Sequence, residues 1–100
     1  MMFKAMLQQF QEMKAKHPDA ILLFRVGDVY EVYEQDATEL YLTFGLPIRQ
    51  PERNGKRAHV ASFHYSQLGY YLPKLIIKAG KRVAICEQLE DTGLKHNRVN

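Results

Sequence analysis

Residues 20–36 read AILLFRVGDVYEVYEQD: an apolar run, a Gly27-Asp28 step, an alternating run, and a helix start. A two-residue glycine-containing turn between two β-prone runs is a strong local signal for a hairpin. The first arm, Ile21 to Phe24, is apolar at every position, which predicts a strand covered on both sides. The second arm places Val29, Glu31 and Tyr33 on one face and Tyr30, Val32 and Glu34 on the other. Neither face is plainly an interior one. This arm is expected to cover the core with one face and show the other to solvent.

Working outward, Phe3, Met6, Leu7, Phe10 and Met13 recur at helical spacing, and Pro18 stops that helix. A methionine-bearing face can be an adaptable binding groove, but a core-facing helix is the simpler reading. After the hairpin, Asp36 with Glu39 three residues on reads as a capping box. Ala37, Leu40, Tyr41 and Phe44 form the apolar face of that helix, which Gly45 can close in a left-handed conformation. Leu46 to Arg49 is a possible strand, 51–55 a loop with an Asn54-Gly55 turn, and Ala58 to Phe63 a return strand. Ser66 is expected to cap a third helix whose pattern contains Pro73, predicting a kink or a broken first turn. Gly80 ends it, and Val83 to Cys86 is another apolar strand. The order α-β-β-α-β-β-α-β predicts an α/β fold of α+β-like character: a mixed β-sheet flanked by three helices.

One hundred residues make one domain. The basic excess, 14 Lys and Arg against 11 Asp and Glu, is compatible with a polyanion partner without demanding one. The single cysteine, Cys86, excludes an internal disulfide and a cysteine-based zinc site. No apolar run approaches the ~18 residues of a membrane span, and no signal-peptide pattern opens the chain. No membrane partner and a cytoplasmic location are therefore expected.

The titratable and basic residues admit several chemistries. Asp28, Glu31, Glu34 and Asp36 could hold Mg²⁺ for phosphodiester cleavage, but Glu31 and Glu34 fall on opposite strand faces, and turn, rim and cap roles account for all four. His17, His59, His64 and His96 show no ligand spacing, and no phosphate-cradling glycine loop is present. No enzyme activity, cofactor or metal is expected. Arg49, Arg53, Lys56 and Arg57 cluster on or beside one loop, which can follow a phosphate backbone. Lys74, Lys78, Lys81 and Arg82 form a second basic group, whose like-charged i, i+4 pair needs counter-charge or open water.

RVGDVYEVYEQDA at 25–37, YYLPKLIIKAG at 70–80, VAICEQ at 83–88 and KAKHPDAILLF before the hairpin resemble the N-terminal mismatch-recognition domain of the MutS family of DNA mismatch-repair proteins. The resemblance covers roughly residues 3 to 91, so a domain over 1–91 and a poorly ordered tail over 92–100 are expected. It implies a mixed sheet with flanking helices, placed beside other domains of a longer polypeptide, one of which binds ATP. It also implies minor-groove probing of mispaired or distorted double-stranded DNA, in the cytoplasm at the nucleoid. A Phe-x-Glu pair in the family sets an aromatic ring against the mispaired base while the Glu hydrogen-bonds it.

Here the first position of that pair is Val29, and the Glu is retained as Glu31. Valine has no π-face, and base stacking on an aromatic ring is worth ~1–3 kcal/mol. Tyr30 points to the opposite face and does not substitute. Pro73 also stands where the family pattern has a helix-compatible residue. The resemblance therefore implies a DNA-binding module with weakened or lost mismatch selectivity, using Val29, Glu31, Arg49, Arg53, Lys56 and Arg57. The alternative is a protein-interaction or structural module that has lost DNA probing, with Val29 and Tyr33 as contact residues.

Overall fold

The computed structural model describes residues 3–53, 55–77, 79–86 and 97–99. Helix α1 (Phe3–Lys16) leads into strand β1 (Ala20–Val26), which turns through Gly27-Asp28 into β2 (Val29–Tyr33). Helix α2 (Gln35–Phe44) follows, then a miniature hairpin of β3 (Glu52–Arg53) and β4 (Lys56–Arg57). Next come β5 (Val60–His64), a 3₁₀ turn (Tyr65–Gln67), α3 (Leu68–Ile77), β6 (Arg82–Cys86) and β7 (Asn97–Val99).

The main sheet has the strand order β5-β2-β1-β6-β7. β1 lies antiparallel to β2 and parallel to β6, so the sheet is mixed. The fully apolar run becomes the central strand: Ala20 to Phe24 are all buried, as a strand covered on both faces must be. On one face Leu22, Phe24, Tyr33, Val60 and Ala84 pack against Met6, Leu7 and Phe10 of α1. On the other, Ile21, Leu23, Val32 and Val83 pack against Ala37 and Leu40 of α2 and Leu75 of α3.

Several sequence expectations change. Strand β2 does not show one face to water: Tyr30, Glu31, Val32 and Tyr33 are all buried, and only Val29, at the turn end, is half-buried. Two helical layers cover the sheet, so both faces of β2 are interior. The strand expected at 46–49 shrinks to one antiparallel bridge between Arg49 and Val60, while the expected loop supplies the β3–β4 ladder. Asp36 is not the cap of α2. The residue before that helix, Glu34, makes no side-chain cap and has φ 54° and ψ −124°, a conformation L-residues rarely adopt. Gly45 does close α2 in the left-handed region, its N–H donating to the Tyr41 carbonyl.

Asp36 instead turns inward. Its carboxylate accepts from the Leu22 amide at 3.0 Å and from Lys14 Nζ at 2.7 Å, and Lys14 also donates to the Ala20 carbonyl. The β1–β2 ladder stops at the Phe24–Glu31 pair, so Asp36 supplies an acceptor to an amide of β1 beyond the end of that ladder. Burial pushes the Asp36 carboxyl above its ordinary range; hydrogen bonds from Lys14 and Leu22 oppose that rise.

Ser66 is likewise not the cap of the third helical segment. The His64 ring accepts from the Ser66 amide, and Gln67 Oε1 accepts from the His64 amide, closing a capping box around the 3₁₀ turn. Helix α3 continues through Pro73. The missing proline donor falls opposite the carbonyl of Gly69, an exposed residue with open space around it, so water can reach that group. Residues 92–96 and 100 of the expected tail lie outside the described residues, as does Lys78; Asn97–Val99 pairs antiparallel with β6. No helix among the described residues is long and apolar enough to cross a membrane.

Candidate nucleic-acid interface

The antiparallel register of β1, β2 and β5 arranges the α1-facing side chains in rows across three strands. Val26, Val29 and His64 form the row at the hairpin end. Phe24, Glu31 and Ser62 form the next, and beyond it Tyr33 pairs with Val60. Burial deepens along the strands: His64 is exposed, Val29 half-buried, Glu31 4% exposed, and Tyr33 and Val60 fully enclosed. The sheet thus runs from a wet, partly apolar edge to a closed core within five residues of strand.

Glu31 owes its burial to partners from both sides of the sequence. The Tyr33 hydroxyl donates to its Oε1 at 2.8 Å. Arg53, arriving on the β3–β4 hairpin 22 residues later, offers two guanidinium nitrogens at 3.4 and 3.2 Å to the two carboxylate oxygens. A two-pronged guanidinium–carboxylate pair fixes orientation as well as charge. Burial, then the neighbouring Glu31 charge, pushes the Tyr33 hydroxyl far above its ordinary pKa, so it remains a donor.

The other cations sit on the same side. Arg49 reaches Ser62 Oγ at 3.2 Å, placing its guanidinium beside the second row. Arg57 is held to the Gln50 carbonyl at 3.1 Å and to Glu52 at 3.0 Å, and stays more than half exposed. Lys56 is exposed and, with Arg57, Gln8, Gln11 and Glu34, lines a shallow groove between the small hairpin and α1. The structure therefore brings Glu31 and Arg53 into contact, sets Arg49 next to them, and leaves Lys56 and Arg57 at the hairpin's outer edge. Val29 sits one row away, at the rim.

Among the described residues of the second basic group, each cation has its own neighbour. Lys74 lies over the Tyr70 ring at 4.1 Å, Lys81 faces Glu39 at 3.9 Å, and Arg82 faces Asp19 at 3.4 Å. The acidic set also disperses. Asp28 stays in the turn, Glu34 accepts from the His59 amide, and Glu31 and Asp36 hold separate cations. Among the described residues no three carboxylate, histidine or cysteine groups could hold a metal ion.

Sequence reasoning overlooked two residues at this edge. Arg25 lies 4.3 Å over the Tyr65 ring, and Tyr65 in turn touches the His64 ring at 4.7 Å between centroids. The Tyr65 amide donates to the Asp28 carbonyl, tying the 3₁₀ turn to the hairpin tip. The RVGDVYE and FHYS segments carry these residues, but nothing local in either says that they meet.

The family model for MutS domain I matches residues 4–100. The DNA mismatch repair protein MutS of Bacteroides thetaiotaomicron is 50% identical over 90 residues, covering 89% of this chain and 10% of that protein. The protein of the same name from Parabacteroides distasonis is 52% identical over 91 residues, with the same coverage. That from Porphyromonas gingivalis is 47% identical over 87 residues, 86% of this chain and 10% of its own length. The chain spans about a tenth of the length of these curated relatives. A family match across nearly the whole chain, on a mixed sheet with the expected helices, shows that the chain belongs to the MutS domain I family.

Proposed function

We propose that this domain binds double-stranded DNA through the β2–β5 face and the β3–β4 hairpin, as a part of a DNA-repair or DNA-processing protein that works at the nucleoid. The observation that carries the reading is the grouping of Arg49, Lys56 and Arg57 beside the Arg53–Glu31 pair, on a sheet whose hairpin end carries Val29, in a domain of this family. Cations at a rim engage phosphates and set register, while the groups between them reach the groove. Val29 presents an aliphatic wedge there instead of an aromatic ring. It can press on a base step but cannot stack, so discrimination between mispaired and matched duplex is weaker than an aromatic wedge provides.

Glu31 acts in this reading by holding Arg53 on the surface. Its carboxylate is 4% exposed and already accepts from Tyr33 and Arg53, so a direct contact to a base requires Arg53 to swing away. The domain performs no catalysis; ATP-driven steps belong to other parts of a longer polypeptide.

The test is fluorescence anisotropy with matched and mispaired duplexes at two salt concentrations. Expected are dissociation constants of the ~10⁻⁴–10⁻⁶ M order typical of phosphate-dominated contact, rising by roughly 0.9 log units per phosphate neutralised for each tenfold increase in salt. Lys56→Glu with Arg57→Glu should remove most of this binding and flatten the salt slope. Arg53→Glu is the wrong reagent, because it sets a second carboxylate against buried Glu31 and attacks the fold itself. No binding to either duplex at low salt refutes the reading.

A further inference from the structure

We propose that His64 supplies the ring Val29 lacks: together they form a nucleobase-stacking site at the end of the β1–β2–β5 sheet, backed by Tyr65 and Arg25. The inference rests on the DNA-binding reading above and deepens it.

Register makes the juxtaposition. His64 is the direct cross-strand partner of Val29, on the same sheet face, so the two Cβ atoms are neighbours. The ring is also held in place. Its Nδ1 accepts from the Ser66 amide at 3.2 Å and lies 2.8 Å from Ser66 Oγ. One side contacts Tyr65, whose ring is itself covered by Arg25 at 4.3 Å. Arg25 is anchored by a bond to the Gly27 carbonyl, and the Tyr65 amide by the Asp28 carbonyl. A cation, a tyrosine and a histidine thus touch in series at one edge, with both rings solvent-exposed.

This arrangement suits an unpaired base. Aromatic surfaces with a cation behind them stack on bases of any sequence. Because Nδ1 is the acceptor for Ser66, the proton of the neutral ring lies on Nε2, for which no described residue provides a partner. An outward N–H can donate to the N3 or O2 acceptors that bases show in the minor groove. Val29 and Val26 complete the row as an apolar floor. The histidine's other role, capping the 3₁₀ turn, needs only the nitrogen facing Ser66 and leaves the outer edge of the ring for a ligand.

Two fluorescein-labelled duplexes test this at low salt, one fully paired and one with a single unpaired thymine. The full chain should prefer the second. His64→Asn keeps a side-chain acceptor for the Ser66 amide but removes the ring, so the preference should fall about fivefold or more, the lower end for loss of one stacking ring. His64→Phe keeps the ring and should retain the preference, with circular dichroism confirming that both variants fold. Equal affinity of the unaltered chain for both duplexes, or an undiminished preference in His64→Asn, overturns the inference while the DNA-binding reading stands. Failure to bind either duplex overturns both.

Discussion

Lys14→Met should destabilise the domain out of proportion to a surface-helix lysine. The Lys14 side chain is 14% exposed, and its ammonium lies 2.7 Å from the carboxylate of Asp36, whose side chain is 2% exposed. It also ties α1 to the start of β1 through the Ala20 carbonyl. Deleting one partner of a buried ion pair costs about 3–5 kcal/mol, because the other charge is left uncompensated. The small opening to solvent at Lys14 favours the lower end. Against a total stability of about 5–15 kcal/mol for a small domain, this is a large fraction. At roughly 4–8 °C per kcal/mol it lowers Tm by about 12–24 °C.

The deficit should depend on pH. Asp36 already has a folded-state pKa raised above its ordinary value of 3.8, mainly by burial. The folded chain therefore holds that proton more tightly than the unfolded one, and the group's contribution to stability, fully present below 3.8, is lost as pH rises through the folded value. Removing Lys14 raises the folded value further. Urea denaturation followed by circular dichroism, at neutral pH and in mildly acidic buffer, should show a penalty that is largest at neutral pH and narrows in acid, as the carboxyl escapes by protonation. Adding Asp36→Asn to Lys14→Met should recover much of the loss, since the amide oxygen can still accept from Leu22. A deficit below about 1 kcal/mol, or one equal at both pH values, refutes the account of this pair as buried and electrostatically coupled.

Val29→Phe should raise discrimination of mispaired over matched duplex by about 5- to 150-fold, the equivalent of ~1–3 kcal/mol of stacking; anisotropy titrations showing no change sink the wedge argument. Pro73→Ala restores a donor for the Gly69 carbonyl and should stabilise the domain by about 1–3 kcal/mol; an unchanged Tm means that α3 has already absorbed the proline. Glu34→Gly removes backbone strain of about 1–3 kcal/mol but also the acceptor for the His59 amide, worth ~1 kcal/mol. The balance should be neutral to stabilising in chemical denaturation; a loss above about 2 kcal/mol places the importance of Glu34 in its side chain instead.

What was legible in the sequence was the part written locally. The Gly27-Asp28 turn, the doubly apolar β1, the Gly45 stop and the three helices each rest on residues within a few positions of one another, and each is present. The readings that failed needed a partner from far along the chain. Asp36 looks like a cap until Lys14 and Leu22, 22 and 14 residues away, reach its carboxylate. Glu31 stands on a strand face that nothing local marks as interior, and only Arg53, arriving from far along the chain, neutralises it there. Ser66 looks like the cap because histidine is an uncommon choice for that task, yet the ring next to it takes the role. The basic residues of the candidate interface were visible as a cluster; their division between Arg53, spent on a buried carboxylate, and Lys56, left free to face solvent, was not.

The parallel pairing of Ala20 with Arg82, and of the residues that follow each, leaves the hydrophobic middle strand dependent on a segment more than sixty positions downstream. A polypeptide truncated before Arg82 would expose that strand's flank as a naked border of amides and carbonyls, bordered by Leu and Ile side chains. Such a border recruits other copies, so shortened versions of this domain should precipitate rather than merely lose affinity.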